Sequence, residues 1–239
     1  MRGQFLRPAI ASIVAALGFS ALLLTPGTLQ ASPSDDRVLP VDQYTSDKGR
    51  ELAASYAPAL RVLNRHLYYC LPWVEVQKHS IGFYKPKNAE QDDRYLSVRI
   101  YIEQDPSPEF TAMPVERRAS AMFSRYVGSL LREMTRERRL LEDPAVGGFA
   151  VVLEWQKHGV RGADSRPVHE TIAVFVEKSL AARYLSRAIT ARDLATRARV
   201  LGFDGETHLG PLKISGWDDD FVQTYKVKNY ELPPEMSCR

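Results

Sequence analysis

The stretch from Pro114 to Leu141, PVERRASAMFSRYVGSLLREMTRERRLL, limits the folds open to this chain more than any other. Val115, Ala119, Met122, Phe123, Tyr126, Val127, Leu130, Leu131 and Met134 recur at spacings of three and four, which lines them along one side of a helix. Pro114 suits the first turn, where a missing N–H loses no partner. The pattern predicts one unbroken helix on the order of 40 Å long, at about 1.5 Å per residue. Arg118, Arg125, Arg132 and Arg139 fall seven apart, and Arg136 joins them. A heptad drifts only about 20° on a straight helix, so these arginines are expected to form one line opposite the apolar stripe. Such a line is either an anion-binding ridge or the solvated face of a core helix, with Glu133 and Glu137 as partners. Solvated charge is the rule on amphipathic helices, so the ridge stands second, with Arg118, Arg125, Arg132 and Arg139 as its candidate residues.

The N-terminus points to a compartment. Arg2 and Arg7 precede a nearly wholly apolar run from Ala9 to Leu24, Pro26 and Gly27 break it, and Ala31 suits the last position of a leader. Residues 1–31 therefore read as a secretory signal peptide, with an apolar run short of the roughly 20 residues that span a bilayer. Leu29 stands three positions before the cut, where a small residue is usual, so an uncleaved anchor is the alternative. The expected location is periplasmic or extracellular, with membrane-surface contact only where the leader stays attached. The leader holds two of the 32 basic residues and none of the 29 acidic ones, so the formal charge of +3 falls to about +1 without it. A nucleic-acid binder needs a basic excess, and nucleic acid is set aside as a partner.

Cys70 and Cys238 are the only cysteines. In an oxidising compartment the expectation is one disulfide tying the tail to the end of the first helical region. No CxxC, HExxH or Cys/His cluster occurs, so neither a metal site nor a cofactor is predicted.

Along the chain, residues 32–45 read as a polar linker, 46–202 as an α+β core domain and 203–239 as a C-terminal hairpin annex. Ser46 suits the cap of a helix from Asp47, Pro58 should kink or split that helix, and Pro72 should end it. Val74 to Tyr84 reads as a strand bulged at Ser80–Ile81–Gly82. Leu96, Val98, Ile100 and Ile102 alternate with Ser97, Arg99, Tyr101 and Glu103, the mark of a half-buried strand. Phe149, Val151, Leu153 and Trp155 alternate likewise; the polar loop HGVRGADSRP follows, and Glu170 to Lys178 returns as a strand. Helix–strand–strand thus occurs twice. It predicts an α+β fold of two such units (αββαββ), with an antiparallel sheet and helices on one face. Thr190 and Asp193 form a variant capping box, opening a helix expected to run to Leu201 with Gly202 as its stop. The turn Asp204–Gly205, a short KIS strand and a strand from Phe221 to Tyr230 make up the annex.

Chemistry has few starting points. His158 and His169 flank one loop, and His169 with Glu170 is the candidate acid–imidazole pair, set against the plainer reading of exposed loop histidines. Asp218, Asp219 and Asp220 crowd together without the spacing or glycine of an EF-hand loop and read as a solvated turn. Tyr68, Tyr69, Trp73, Phe83 and Tyr84 suit either a groove or a sealed core edge. GxSxG, P-loop and GxGxxG motifs are missing, and the sequence leaves open whether the chain is an enzyme. The expected role is an exported, non-catalytic envelope module that binds or assists an envelope protein or polymer. The alternative is an exported hydrolase whose active site gathers scattered histidines and acids.

Overall fold

A computed structural model describes residues 35–71, 74–87, 92–102, 108–161 and 166–214. The leader, Trp73, the loop residue Asp164, the Asp218–Asp220 turn, the strand expected over 221–230 and Cys238 lie outside the described residues.

Two helices open the fold. In α1, Asp47–Ser55, the Ser46 hydroxyl accepts from the Gly49 N–H at 3.2 Å, the cap expected of it. The helix stops at Tyr56, and α2, Ala57–Cys70, restarts with Pro58 in its first turn. The proline therefore splits the pattern. Strands β1, Val74–Val76, and β2, Gly82–Tyr84, both pair antiparallel with β3, Arg94–Ile102. The expected bulged strand is thus two strands, parted by a turn in which His79 takes a φ of 55°.

A helical segment then returns the chain: α3, Pro108–Thr111; α4, Val115–Met122; a π turn, Phe123–Val127; α5, Gly128–Met134; and α6, Arg139–Glu142. The expected single helix to Leu141 is broken twice. A π turn inserts one residue and so rotates the downstream turns by about 100° relative to an unbroken α-helix. The helix proper ends at Thr135, whose hydroxyl donates to the Leu131 carbonyl at 2.7 Å.

The second half is β4, Val146–Arg161; β5, Pro167–Glu177; α7, Lys178–Leu185; α8, Ala191–Arg197; β6, Arg199–Asp204; and β7, Thr207–Pro211. The sheet runs β1-β3-β4-β5-β6-β7, with β2 also on β3. The class is α+β. The sheet is mixed rather than antiparallel, because β3 and β4 pair in parallel from Leu96↔Phe149 to Ile102↔Trp155. The helical segment between them carries the chain back to the starting end, as a parallel pair requires. Three further expectations change. The strands β4 and β5 extend into the loop expected between them, to Arg161 and from Pro167. The helix opened by the Thr190–Asp193 box, α8, ends at Arg197 rather than Leu201, because Val200 is buried opposite Val174 and the sheet edge takes Arg199–Asp204 as β6. Residues 36–44 are pinned to the core: Leu39 N–H donates to Ile81 O at 2.9 Å, and the buried Tyr44 hydroxyl accepts from Phe83 N–H at 3.1 Å.

One sheet face is the core. Leu96, Val98, Ile100 and Ile102 line up through the register with Phe149, Val151, Leu153 and Trp155, then with Val176, Val174 and Ile172, and all are buried. Fully burying such a side chain contributes roughly 1.5–3 kcal/mol. Leu60, Leu63, Leu67, Phe123, Val127, Leu130 and Leu131 from the helices join the same core. The other face, with Ser97, Arg99, Tyr101, Glu154 and Phe203, is partly exposed. Among the described residues, no helix is long and apolar enough to cross a membrane.

Candidate binding site

Arg118 and Glu170, assigned from the sequence to two different sites, meet each other. Both are buried, at 8% and 1% exposure. Arg118 Nε donates to Glu170 Oε2 at 2.7 Å, and its Nη2 donates to Oε1. Arg118 Nη1 caps the carbonyls of Thr111, at 3.0 Å, and Met113. Trp155 Nε1 donates to Glu170 Oε2 at 3.0 Å. Lys157 Nζ donates to Asp204 at 2.9 and 3.1 Å and lies 4.0 Å from Glu170 Oε1. Two cations, Arg118 and Lys157, thus face two carboxylates, Glu170 and Asp204, and the cluster is charge-balanced within the protein.

This corrects two expectations. Glu170 is not the partner of His169, because successive strand residues point to opposite faces. His169 lies on the partly exposed face, its Nδ1 3.4 Å from Glu154 Oε1 and its ring centroid 5.4 Å from that of Tyr101. Glu154 also accepts from Arg99 at 2.7 Å and Gln77 at 2.9 Å. Among the described residues, no serine, threonine or cysteine side chain hydrogen-bonds to His169. The His158 side chain lies outside the described residues.

The arginine ridge does not form either. Arg118 is buried, and Arg125 hydrogen-bonds to Tyr126. Arg132 donates to the Tyr184 hydroxyl at 3.1 Å and to Ser129 at 3.2 Å. Arg136 pairs with Glu133 at 2.6 Å. Arg139, past the helix end, pairs with Glu137 at 3.0 Å and sits over the Tyr56 ring at 5.6 Å. Cys70 closes α2, half-buried. Among the described residues, no group of three or more His, Cys, Asp or Glu side chains is arranged to hold a metal ion.

A cavity of about 900 Å³ lies at the other end of the sheet, where β3 and β4 begin and β5 ends. Asp143, next to the lining residue Pro144, ties the neighbouring segments together. One carboxylate oxygen accepts from Ala145 N–H at 2.8 Å, the other accepts from the Tyr56 hydroxyl at 2.9 Å, and its carbonyl accepts from Lys178 Nζ at 2.5 Å. The start of β4 is thereby tied to the first residue of α7. Gly148 lets β3 and β5 close in, since a Cβ there would stand 2.3 Å from Val176 O and 2.6 Å from the Tyr95 ring. Tyr95 packs edge-on to Phe175, with centroids 6.3 Å apart, and the Arg199 guanidinium carbon sits over the Phe175 ring, 4.5 Å from its centroid. Burial, then Glu177, pushes the Tyr95 phenol up, so it remains a hydroxyl donor at neutral pH.

Arg183 on α7 and Arg197 at the end of α8 complete the basic wall. The capping box places the latter. Asp193 N–H donates to Thr190 Oγ1 at 3.1 Å and Thr190 N–H donates to Asp193 Oδ2 at 2.9 Å, so α8 starts at Ala191, Arg197 closes it and Arg199 begins β6. These bonds, followed by Arg197 and Arg183, hold the Asp193 carboxyl below its ordinary range. None of Arg183, Arg197 and Arg199 lies within 4.0 Å of a carboxylate among the described residues. Two carboxylates, Asp93 and Glu177, also face the cavity; Asp93 lies 4.0 Å from Lys48, and Glu177 is exposed without a cation in that range among the described residues. These basic residues were missed because Arg197-Ala-Arg199 continues a helical reading. The clue available was β-branched Val200 between two outward positions, the pattern of a strand start.

No protein-family model, curated protein or solved structure matches this chain.

Proposed function

We propose that the chain is an exported, non-catalytic binding module of the cell envelope, acting through the cavity at the β3–β4 end of the sheet on a negatively charged envelope component. One observation carries this reading: three guanidinium groups surround about 900 Å³ of open space with no carboxylate within 4.0 Å among the described residues. Ligand cavities of roughly 300–1,000 Å³ are usual for organic ligands. Arginine presents a planar fork of donors suited to carboxylate or phosphate. The leader-like N-terminus supports the location, and mass spectrometry of the N-terminus from an envelope extract tests it directly.

Calorimetric titration with inorganic phosphate and with galacturonic acid tests the binding reading. Binding is expected to weaken with added salt and to disappear in an Arg183→Gln, Arg197→Gln, Arg199→Gln triple variant with an unchanged melting temperature. Equal binding by the triple variant would overturn it.

A further inference from the structure

Resting on that reading, we infer that the cavity takes an acidic saccharide: a hydroxyl-rich, saturated ligand whose carboxylate or phosphate meets the Arg197–Arg199 wall while its hydroxyls donate to Glu177 and Asp93. The charges across the sheet end are ordered, not mixed. In strand order the wall runs from Asp93 before β3, past Gly147 on β4 and Glu177 at the end of β5, to Arg199 at the start of β6. With neighbouring strands about 4.8 Å apart, Asp93 and Arg199 stand on the order of 14 Å apart, with Glu177 one strand from Arg199, a span that suits more than a single ion.

The aromatic residues select against a planar ligand. A nucleobase needs a free ring face to stack on. Here Arg199 occupies a face of Phe175 at 4.5 Å, and Tyr95 meets the same ring edge-on at an interplanar angle of 71°. The contact with the Phe175 ring restrains the Arg199 guanidinium, so less freedom is lost when it grips an oxyanion. The Tyr95 hydroxyl makes no hydrogen bond among the described residues and adds a donor to the wall. Glu177 adds an acceptor. It precedes α7 with extended backbone and its side chain makes no cap bond, so the carboxylate is available to sugar hydroxyls. Lys178 is committed to the Asp143 carbonyl and takes no part.

The experiment is a calorimetric comparison on the purified chain of four probes: galacturonic acid, glucose 6-phosphate, adenosine monophosphate and inorganic phosphate. Both saccharide acids are expected to bind at least tenfold more tightly than inorganic phosphate and than the nucleotide. Glu177→Gln should remove roughly a factor of ten from the saccharide acids, as expected for a hydrogen bond to a charged acceptor, while leaving inorganic phosphate as tight or tighter. Tighter binding of the nucleotide, or equal binding of all four probes, overturns the saccharide assignment and leaves the anion cavity standing. No binding by any probe overturns both.

Discussion

At one end of the sheet Arg118 is enclosed: it donates to one carboxylate, which an indole also holds, and to two backbone carbonyls. Roughly 20 Å further along β5, at about 3.3 Å per residue, Arg183, Arg197 and Arg199 surround open space with no counter-charge within 4.0 Å among the described residues. The same residue type serves opposite purposes because burial decides its options. An enclosed guanidinium must be matched by the protein, or it destabilises the fold. A solvated one can wait for a ligand. Counting arginines along a helix cannot separate these cases; asking what stands opposite each one can.

The sharpest break of this contrast is Glu170→Ala, which would leave Arg118 charged, buried and unmatched. It is expected to lose about 3–5 kcal/mol in urea denaturation. Replacing both partners, Arg118→Met with Glu170→Leu, should restore most of that stability; a double variant as weak as the single one would show that the pair itself is not the cause. At the open end, Gly148→Ala should cost about 1–3 kcal/mol by forcing β5 away from Tyr95, and should loosen ligand binding in the same titration.

Thr190→Ala should cost about 1 kcal/mol through the lost cap on α8. Its partner gives a pH signature. The folded Asp193 carboxyl lies below the ordinary 3.8, so its contribution is present above that value and is lost as pH falls through the depressed one. The melting temperatures of the protein and of Asp193→Asn should differ at pH 7 and converge below the ordinary value. The smallest stability effect belongs to Arg197→Glu with Arg199→Glu. Both side chains are exposed, and a shift within about 0.5 kcal/mol is expected, alongside at least a tenfold loss of affinity for galacturonic acid.

Much of the fold was legible in short-range chemistry. Ser46 caps α1, Pro58 divides the first helical region, the Thr190–Asp193 box opens α8, and Gly205 turns the last hairpin with a φ of 58°. The alternation of β3 also survives intact, and that of β4 holds from Val151 to Trp155. Long-range pairing was not legible. Nothing in residues 94–102 says that their neighbour is parallel, and in Arg199–Asp204 the strand signal of Val200 outweighs the helical neighbours only once the β5 edge is present. The site suffered most, because Arg118 and Glu170 looked like surface candidates until the fold brought them together.

The parallel join of β3 to β4 also bears on how the chain is made. The paired residues lie about fifty positions apart, so during synthesis β3 emerges long before its neighbour. Until residues 146–161 arrive, its nine residues form a sheet edge with an aliphatic side chain at every second position from Leu96 to Ile102. Such an edge is a ready template for pairing with another chain. Completion of β4 therefore covers the β3 edge, and β5 must follow before the β4 edge is covered in turn.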